Sequence, residues 1–345
     1  MTVRTMLDDT IGLKYGAGGR AMRALIERVG LPGLGGTPVD GIGLAAMDDG
    51  AAIRVGDRWL VVTTDSHVVH PIFFPGGDIG RLAISGTVND LAMMGATEPL
   101  ALTCALVIEE GFARADLERV YASIRLACDE SGATIVAGDT KVMGRGELDG
   151  LVINTTGVAL CDRAVSDAGL MPGDRLIVSG TVGDHGMAVM AARHQLSLDG
   201  DLRSDVAPIN GLVRAALAAG GAGVVAMKDP TRGGLSSALH DMAEKGRVGI
   251  IIDELAVPVR ADVRAAADLL GIDPLIIANE GKAVFGVRAD VADAVLAALQ
   301  AHPLGREAAI VGRCFDQHRG AVILDTGFGR RMLAEPEGEP LPRIC

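Results

Sequence analysis

Residues 78–108 read DIGRLAISGTVNDLAMMGATEPLALTCALVI, and their pattern sets the fold class. The first part, 78–94, reads as a helix, with small residues at Ala83, Gly86 and Ala92 that permit close packing. The apolar run 100–108 then reads as a strand. The flanks continue the mixture. Upstream, 52–55 and 59–64 flank Gly56-Asp57, a two-residue turn suited to a hairpin. Downstream, Leu117, Val120, Tyr121, Ile124 and Cys128 recur with helical spacing, and 133–137 and 151–159 are strands. A polar break at 162–174 ends in Met-Pro-Gly-Asp. Beyond it a strand is expected at 175–179, with others at 248–252, 283–287, 308–311 and 321–324. Helices are expected at 186–194, 211–219, 235–245, 261–270 and 291–302. Both halves are therefore α+β, with short connections and no repeat between them.

A chain of 345 residues has room for about two domains, and 49% hydrophobic content is ample for their cores. Only 3% is aromatic, so those cores are aliphatic. The net charge of −12, without a basic run, argues against nucleic acid as a partner. No run of eighteen apolar residues and no signal-peptide core is visible, so no membrane is expected and the protein is read as cytoplasmic. Cys104, Cys128, Cys161 and Cys314 sit in or beside apolar segments and read as small core residues. Cys345 lies instead in a polar context, at the end of EPEGEPLPRIC, residues 335–345. Three prolines make that tail a semi-rigid spacer, which at about 3.1 Å per residue reaches roughly 30 Å. Taken alone it reads equally as a frayed terminus and as an arm carrying a thiol between sites.

Aspartates gather at strand ends and turns: Asp48-Asp49, Asp65, Asp90 in Gly-Thr-Val-Asn-Asp, and Asp139 in Gly-Asp-Thr-Lys. Hard oxygen ligands of this kind suit Mg2+ on phosphates, although aspartate also favours turns and caps. Lys141, two residues past Asp139, would add a cation beside a polyphosphate. There is no Walker A sequence, because Gly281-Lys282 is followed by Ala283. Gly16-Ala-Gly-Gly19 precedes a helix expected from Arg20, where free N–H groups cradle anions. In the second half, Asp229-Pro-Thr-Arg-Gly-Gly234 leads into a helix carrying His240 and Asp241. Asn279-Glu280-Gly281-Lys282 lies just before a strand, and both clusters are placed to line an interdomain cleft.

Taken together, Asp65-Ser66, PIFFPGGDIG at 71–80, GTVNDLAM at 86–93, GDTK at 138–141, DPTRGG at 229–234 and the terminal PRIC at 342–345 resemble the HypE family of hydrogenase maturation proteins. That family is part of the superfamily of aminoimidazole ribonucleotide synthetase, selenophosphate synthetase and thiamine-phosphate kinase. The resemblance implies a two-domain PurM-like fold. An N-terminal mixed-sheet or half-barrel domain over 1–165 binds ATP and Mg2+ and forms a homodimer. A C-terminal α/β domain follows over 166–334, with a mobile tail over 335–345. The implied reaction belongs to [NiFe]-hydrogenase maturation. HypF carbamoylates the terminal cysteine, the enzyme dehydrates the thiocarboxamide to a thiocyanate with ATP, and cyanide passes to iron on the HypC–HypD complex.

Carried over residue by residue, the resemblance implies nucleotide contacts at Gly18, Gly19, Asn89, Asp65, Asp90, Asp139 and Lys141. It implies Mg2+ at Asp49, Asp65, Asp90 and Asp139. Cys345, Glu280, His240 and Lys141 are the implied catalytic set, with the base left open between Glu280 and His240. The tail is expected to exchange between outward and inward positions. One departure is Tyr15, where the family pattern has histidine. Two other readings stay open: another ATP-dependent enzyme of the superfamily (a selenophosphate synthetase or a small-molecule kinase), and a non-catalytic thiol carrier. A selenophosphate synthetase would need a reactive cysteine near the N-terminus, and the first here is Cys104.

Overall fold

The computed structural model describes residues 7–16, 18–34, 39–196, 200–336 and 343–345. The chain enters through two short helices, α1 (Gly19–Leu25) and α2 (Leu31–Leu34), which precede strand β1 (Gly41–Ile42). A hairpin follows, β2 (Ala51–Val55) and β3 (Arg58–His67), closed at Gly56-Asp57 where Gly56 has φ 63°. A small ribbon, β4 (Phe73–Phe74) with β5 (Gly77–Asp78), leads into α3 (Ile79–Met93). After β6 (Pro99–Glu109) come α4 (Arg114–Ser131), β7 (Ile135–Met143) and β8 (Leu151–Cys161). The first sheet runs in the order β1-β2-β3-β8-β6-β7, antiparallel except for the parallel β6–β7 pair.

Helix α3 is the spine of this half. Its N-cap, Asp78, accepts hydrogen bonds from the backbone N–H groups of Gly80 (2.8 Å) and Arg81 (3.0 Å). Such a cap is worth about 1 kcal/mol. Every residue of α3 except Arg81 and Asp90 is buried, against β3, β8 and α4. Small residues make that approach possible, since a Cβ at Gly157 of β8 would lie 2.7 Å from Thr87 Cγ2. Strand β7 is the contrast. It forms the sheet edge, and all nine of its residues are exposed.

The second half contains β9 (Arg175–Val178), α5 (Asp184–Arg193), α6 (Asn210–Gly220), β10 (Val224–Lys228), α7 (Gly234–Gly246) and β11 (Gly249–Asp253). It continues with α8 (Ala261–Leu270), β12 (Val284–Val287), α9 (Ala292–Ala301), β13 (Ala309–Phe315), β14 (Val322–Asp325) and β15 (Arg330–Met332). Its sheet runs β10-β12-β9-β13-β11-β14-β15, with β11 and β14 parallel. Among the described residues no helix is long and apolar enough to cross a membrane.

One hydrophobic core joins the halves. Leu82, Val88, Leu102 and Ile153 of the first sheet layer pack in one cluster with Met187 and Val189 of α5 and Val263 of α8. Ile344, one residue from the C-terminus, is buried in that same cluster. Full burial of an isoleucine side chain stabilises the docked end by about 2 kcal/mol. The stem and end of the tail are thus described as docked, while 337–342, most of the tail expected to move, lie outside the described residues.

Candidate active site

Between the two halves lies a cavity of about 560 Å³. Its walls differ in chemistry. Met22 and Ile26 from the N-terminal helices, with Leu44, Met47 and Val62, form an apolar side. The lining also carries Asp49, Asp65, Asp90, Asp229 and Glu280, and Cys345 reaches the same space.

The acids come from separate elements, each fixed by local bonds. The Thr63 hydroxyl on β3 lies 2.8 Å from Asp90 Oδ2 on α3 and 2.9 Å from the Asp49 carbonyl. Asp49 Oδ1 pairs with Lys228 Nζ at 2.7 Å, and Lys228 also donates to Asp167 Oδ2 at 3.2 Å. Lys245 donates to the same Asp167 oxygen at 2.7 Å. Burial alone would strip the Lys228 proton, but Asp49 and Asp167 outweigh it and hold the ammonium charged. Burial, then the neighbouring Asp65, Asp229 and Asp49, push the Asp90 carboxyl well up. Asp229, raised chiefly by burial, titrates at about 6.

Glu280 sits in a backbone clasp. Its N–H donates to Asp205 Oδ1 (3.1 Å), and its carbonyl accepts from Asn89 Nδ2 (3.2 Å). The next residue must be glycine, because a Cβ at Gly281 would lie 1.9 Å from the Asp205 carbonyl. Glu280 is 4% exposed, and burial, reinforced by Asp229, Asp205 and Asp65, pushes its carboxyl well above the ordinary 4.5. Its Oε1 is buried and accepts no hydrogen bond among the described residues; the same holds for Asp49 Oδ2. Orphaned buried carboxylate oxygens on residues that line a cavity are candidate partners for a cation or a mobile proton.

Similarity to known proteins agrees with this architecture. Residues 47–161 match the N-terminal domain and residues 171–325 the C-terminal domain of the AIR synthase related proteins. The carbamoyl dehydratase HypE of Rhizobium leguminosarum bv. viciae is 48% identical over 339 residues, covering 97% of this chain and 95% of the relative. The chain belongs to the HypE family. A crystal structure of a HypE–HypF complex superimposes with a TM-score of 0.84 at 42% identity, covering 91% of this chain and 100% of that one. HypE crystallised in complex with ATP gives 0.80 at 41% identity, covering 97% and 100%.

Against the set implied by resemblance to HypE, the cavity brings together Asp49, Asp65, Asp90, Glu280, Cys345, Gly18 and Gly19. Gly18 and Gly19 have φ of 81° and 62°, and a Cβ on Gly18 would meet Arg232 Cβ at 2.8 Å. Four expected residues lie elsewhere. Asp139 and Lys141 are within β7, not just past a strand, because the β6–β7 ladder continues through Gly138-Asp-Thr-Lys141. They pair with each other at 3.0 Å on the exposed edge and do not line this chain's cavity. His240, on α7, spends Nδ1 on the Ser236 carbonyl one turn back (2.8 Å) and is likewise absent from the lining. Asn89 is fully buried in the clasp: besides Glu280 it holds the Ala207 carbonyl and the Ile209 N–H. Tyr15 is buried, its hydroxyl accepting the Asp8 N–H at 2.6 Å.

Of the cations that line the site, Arg232 belongs to a motif expected at the cleft, whereas Arg23, Lys228 and Lys245 were not among the expected residues. Lys228 ends β10, a strand that sequence patterning does not predict, immediately before the Asp229-Pro-Thr-Arg motif. Asp229 was expected at the cleft lining but had no chemical role assigned from sequence. A cation and an acid at a strand end, ahead of a Gly-Gly helix start, were the available signal.

Proposed function

We infer that the chain is an ATP-dependent carbamoyl dehydratase of [NiFe]-hydrogenase maturation whose substrate is its own C-terminal thiol. The observation that carries this is the placement of Cys345 in the cavity that also holds Glu280 and the buried aspartates. A small-molecule kinase has no use for its own terminus there. A passive thiol carrier has no use for the acids.

The residues present fit Mg-ATP. Met22, Ile26 and Leu44 offer an apolar wall to a purine, and Asp49, Asp65, Asp90 and Asp229 offer hard oxygen donors with an orphaned Oδ2 on Asp49. Among the described residues no three acidic, histidine or cysteine side chains converge tightly enough to hold a metal alone. That suits Mg2+, which takes one or two carboxylates and completes its shell with phosphate oxygens and water. When bound, Mg-ATP supplies the phosphoryl group that turns the carboxamide oxygen into a leaving group.

The chain's residues do the rest. The docked Cys345 presents S–C(=O)NH2 to the cavity. Phosphate departs with the former carboxamide oxygen while the nitrogen gives up its protons, which leaves S–C≡N. Glu280 is the base in this reading, because it shares the cavity with Cys345 and His240 does not. Lys228, held charged by its two aspartates, anchors the acid cluster through Asp49. The apolar side chains of the lining and the buried Ile344 keep water from the activated carbon.

The partners follow from the same reading. A HypF-type carbamoyltransferase loads Cys345 and a HypC–HypD complex receives the cyanide. A second copy of the chain pairs through β7, whose exposed Val136 and Val142 flank Asp139 and Lys141. In a dimer those two polar residues would complete the neighbour's phosphate site. The reading puts the protein in the cytoplasm, where thiols stay reduced. All five cysteines are in the thiol form.

Intact mass tests the function. With HypF, carbamoyl phosphate and ATP, Cys345 should gain about 43 Da, and Mg-ATP alone should then convert the adduct to about +25 Da. A stable +43 Da adduct would leave only a carrier. No adduct on Cys345 would overturn the reading.

A further inference from the structure

The end of the tail is held by a receptor outside the cavity, on α5. His185, fully buried, lies with Nε2 2.8 Å from the Ile344 carbonyl and Nδ1 2.8 Å from Ser204 Oγ. Ser204 Oγ accepts the Val206 N–H at 3.0 Å, which leaves its own proton for Nδ1. That arrangement fixes the tautomer: Nε2 carries hydrogen and donates to Ile344. The Phe74 ring stands edge-on to the imidazole, with centroids 5.3 Å apart at 89°. Eight residues along the same helix, Arg193 donates through Nη2 to the Arg343 carbonyl (2.7 Å) and through Nε to the His70 carbonyl (2.8 Å). The His70 N–H donates to the Arg343 carbonyl as well (3.1 Å). The Arg343 side chain pairs with Asp149, and Ile344 is buried beside Val69 and Met187.

We propose that His185 and Arg193 are positioning residues which read the main chain of the tail and set the register at which Cys345 enters the cavity. The proposal rests on the dehydratase reading for its purpose. Successive tail carbonyls, those of Arg343 and Ile344, are each assigned a donor, and a slip of one residue would misplace both bonds and the buried Ile344 side chain. None of these contacts touches Sγ. The latch therefore holds the free thiol, the carbamoylated tail and the cyanated tail equally, which is uniform binding. Its loss lowers the docked population and leaves the chemical step of docked molecules unchanged. Access of Cys345 to solvent and turnover must then change together, in opposite directions.

The experiment compares wild type with His185→Phe, His185→Gln and Arg193→Ala as full-length protein. Three rates are read by intact mass: iodoacetamide alkylation of Cys345, carbamoylation of Cys345 by HypF, and single-turnover dehydration with Mg-ATP. In His185→Phe the Ile344 carbonyl stays buried without its donor, and alkylation should rise roughly 10-fold or more, while dehydration falls in proportion to the docked fraction that is lost. Carbamoylation should be no slower, since it draws on the undocked tail. Mg-ATP affinity should hold, because His185 does not line the cavity. Gln, whose amide can donate to the same carbonyl, should recover most of both rates. Arg193→Ala, at the partly exposed end of α5, should act in the same sense without touching the core.

Wild-type alkylation and dehydration in both His185→Phe and Arg193→Ala would overturn the proposal. So would a defect that Gln does not relieve, which would mean packing alone. If wild-type Cys345 is never carbamoylated, the dehydratase reading fails, and the alkylation comparison still decides the latch.

Discussion

Glu280→Gln tests the proposed base with little change of shape. Glu280 is almost fully buried, and its backbone, not its carboxylate, makes the bonds to Asp205 and Asn89. The substitution should therefore fold. Removing a general base of this kind lowers a rate by about 10²–10⁴-fold. Single-turnover conversion of the carbamoyl adduct should fall by that factor, with HypF-dependent carbamoylation and Mg-ATP affinity within a few-fold of wild type. Stability supplies an independent sign. Below pH 4.5 the carboxyl is protonated in both folded and unfolded chains, and above its raised folded value it is ionised in both. Between those limits the folded state keeps a proton that the unfolded chain has lost, so stability falls as pH rises through the window, by about 1.4 kcal/mol for each pH unit crossed. Gln removes that slope. Urea midpoints for the variant should match wild type at pH 4 and exceed it at pH 8. Dehydration within about threefold of wild type would refute Glu280 as the base, and a pH-independent stability difference would refute its raised pKa.

Asp90→Asn keeps an acceptor for Thr63, so it should fold normally and weaken Mg-dependent nucleotide binding by roughly tenfold or more, as read by calorimetry. Because Asp90, Asp229 and Glu280 hold protons above their ordinary ranges, loading Mg-ADP should expel protons. The thermal shift that it produces should then be larger at pH 8 than at pH 6, and the binding heat should depend on the buffer's ionisation enthalpy. Gly157→Ala would drive a methyl against Thr87 and Leu91 and should cost about 1–3 kcal/mol in urea unfolding, with the cavity chemistry intact once folded.

Much of the fold was legible because local and tertiary signals coincide. Helix α3 announces itself by small residues that permit close packing, and at one of them, Gly86, a Cβ would lie 2.9 Å from His67 Cε1 of β3. The break at 162–174 falls between β8 and β9 because neither sheet claims those residues. Where the two kinds of signal part, sequence reading loses its grip. Strand β10 is five residues long between a glycine turn and Asp229-Pro230, too short for a period, and what makes it a strand is pairing with β12, 60 residues away in sequence. Strand β7 continues through Gly-Asp-Thr-Lys because its backbone follows β6, a ladder that leaves no trace in side-chain alternation. Those two elements carry Lys141 and Lys228, which differ in legibility: a lysine beside an aspartate was visible at 139–141, whereas Lys228 meets Asp49 only across 179 residues of chain. The tail was legible in composition as an arm, but its receptor was not, since two carbonyl acceptors have no sequence signature.

The electrostatics of the cavity tie Glu280 to the nucleotide. Its lining holds seven carboxylate side chains against four cationic ones, and Cys345 lies within that excess. Burial first, and then the charges of neighbouring acids, raise both Asp90 and Glu280. In that condition Glu280 is a poor base, because it is already protonated. Two of the charges that raise it, those of Asp229 and Asp65, lie among the proposed donors to Mg2+. Balancing those charges removes part of the rise and leaves the part due to burial, so Glu280 moves toward its ionised form as the phosphoryl donor arrives. Protons released on Mg-ADP binding should accordingly be fewer in Glu280→Gln than in wild type, and an equal release in both would show that Glu280 is not the group being armed.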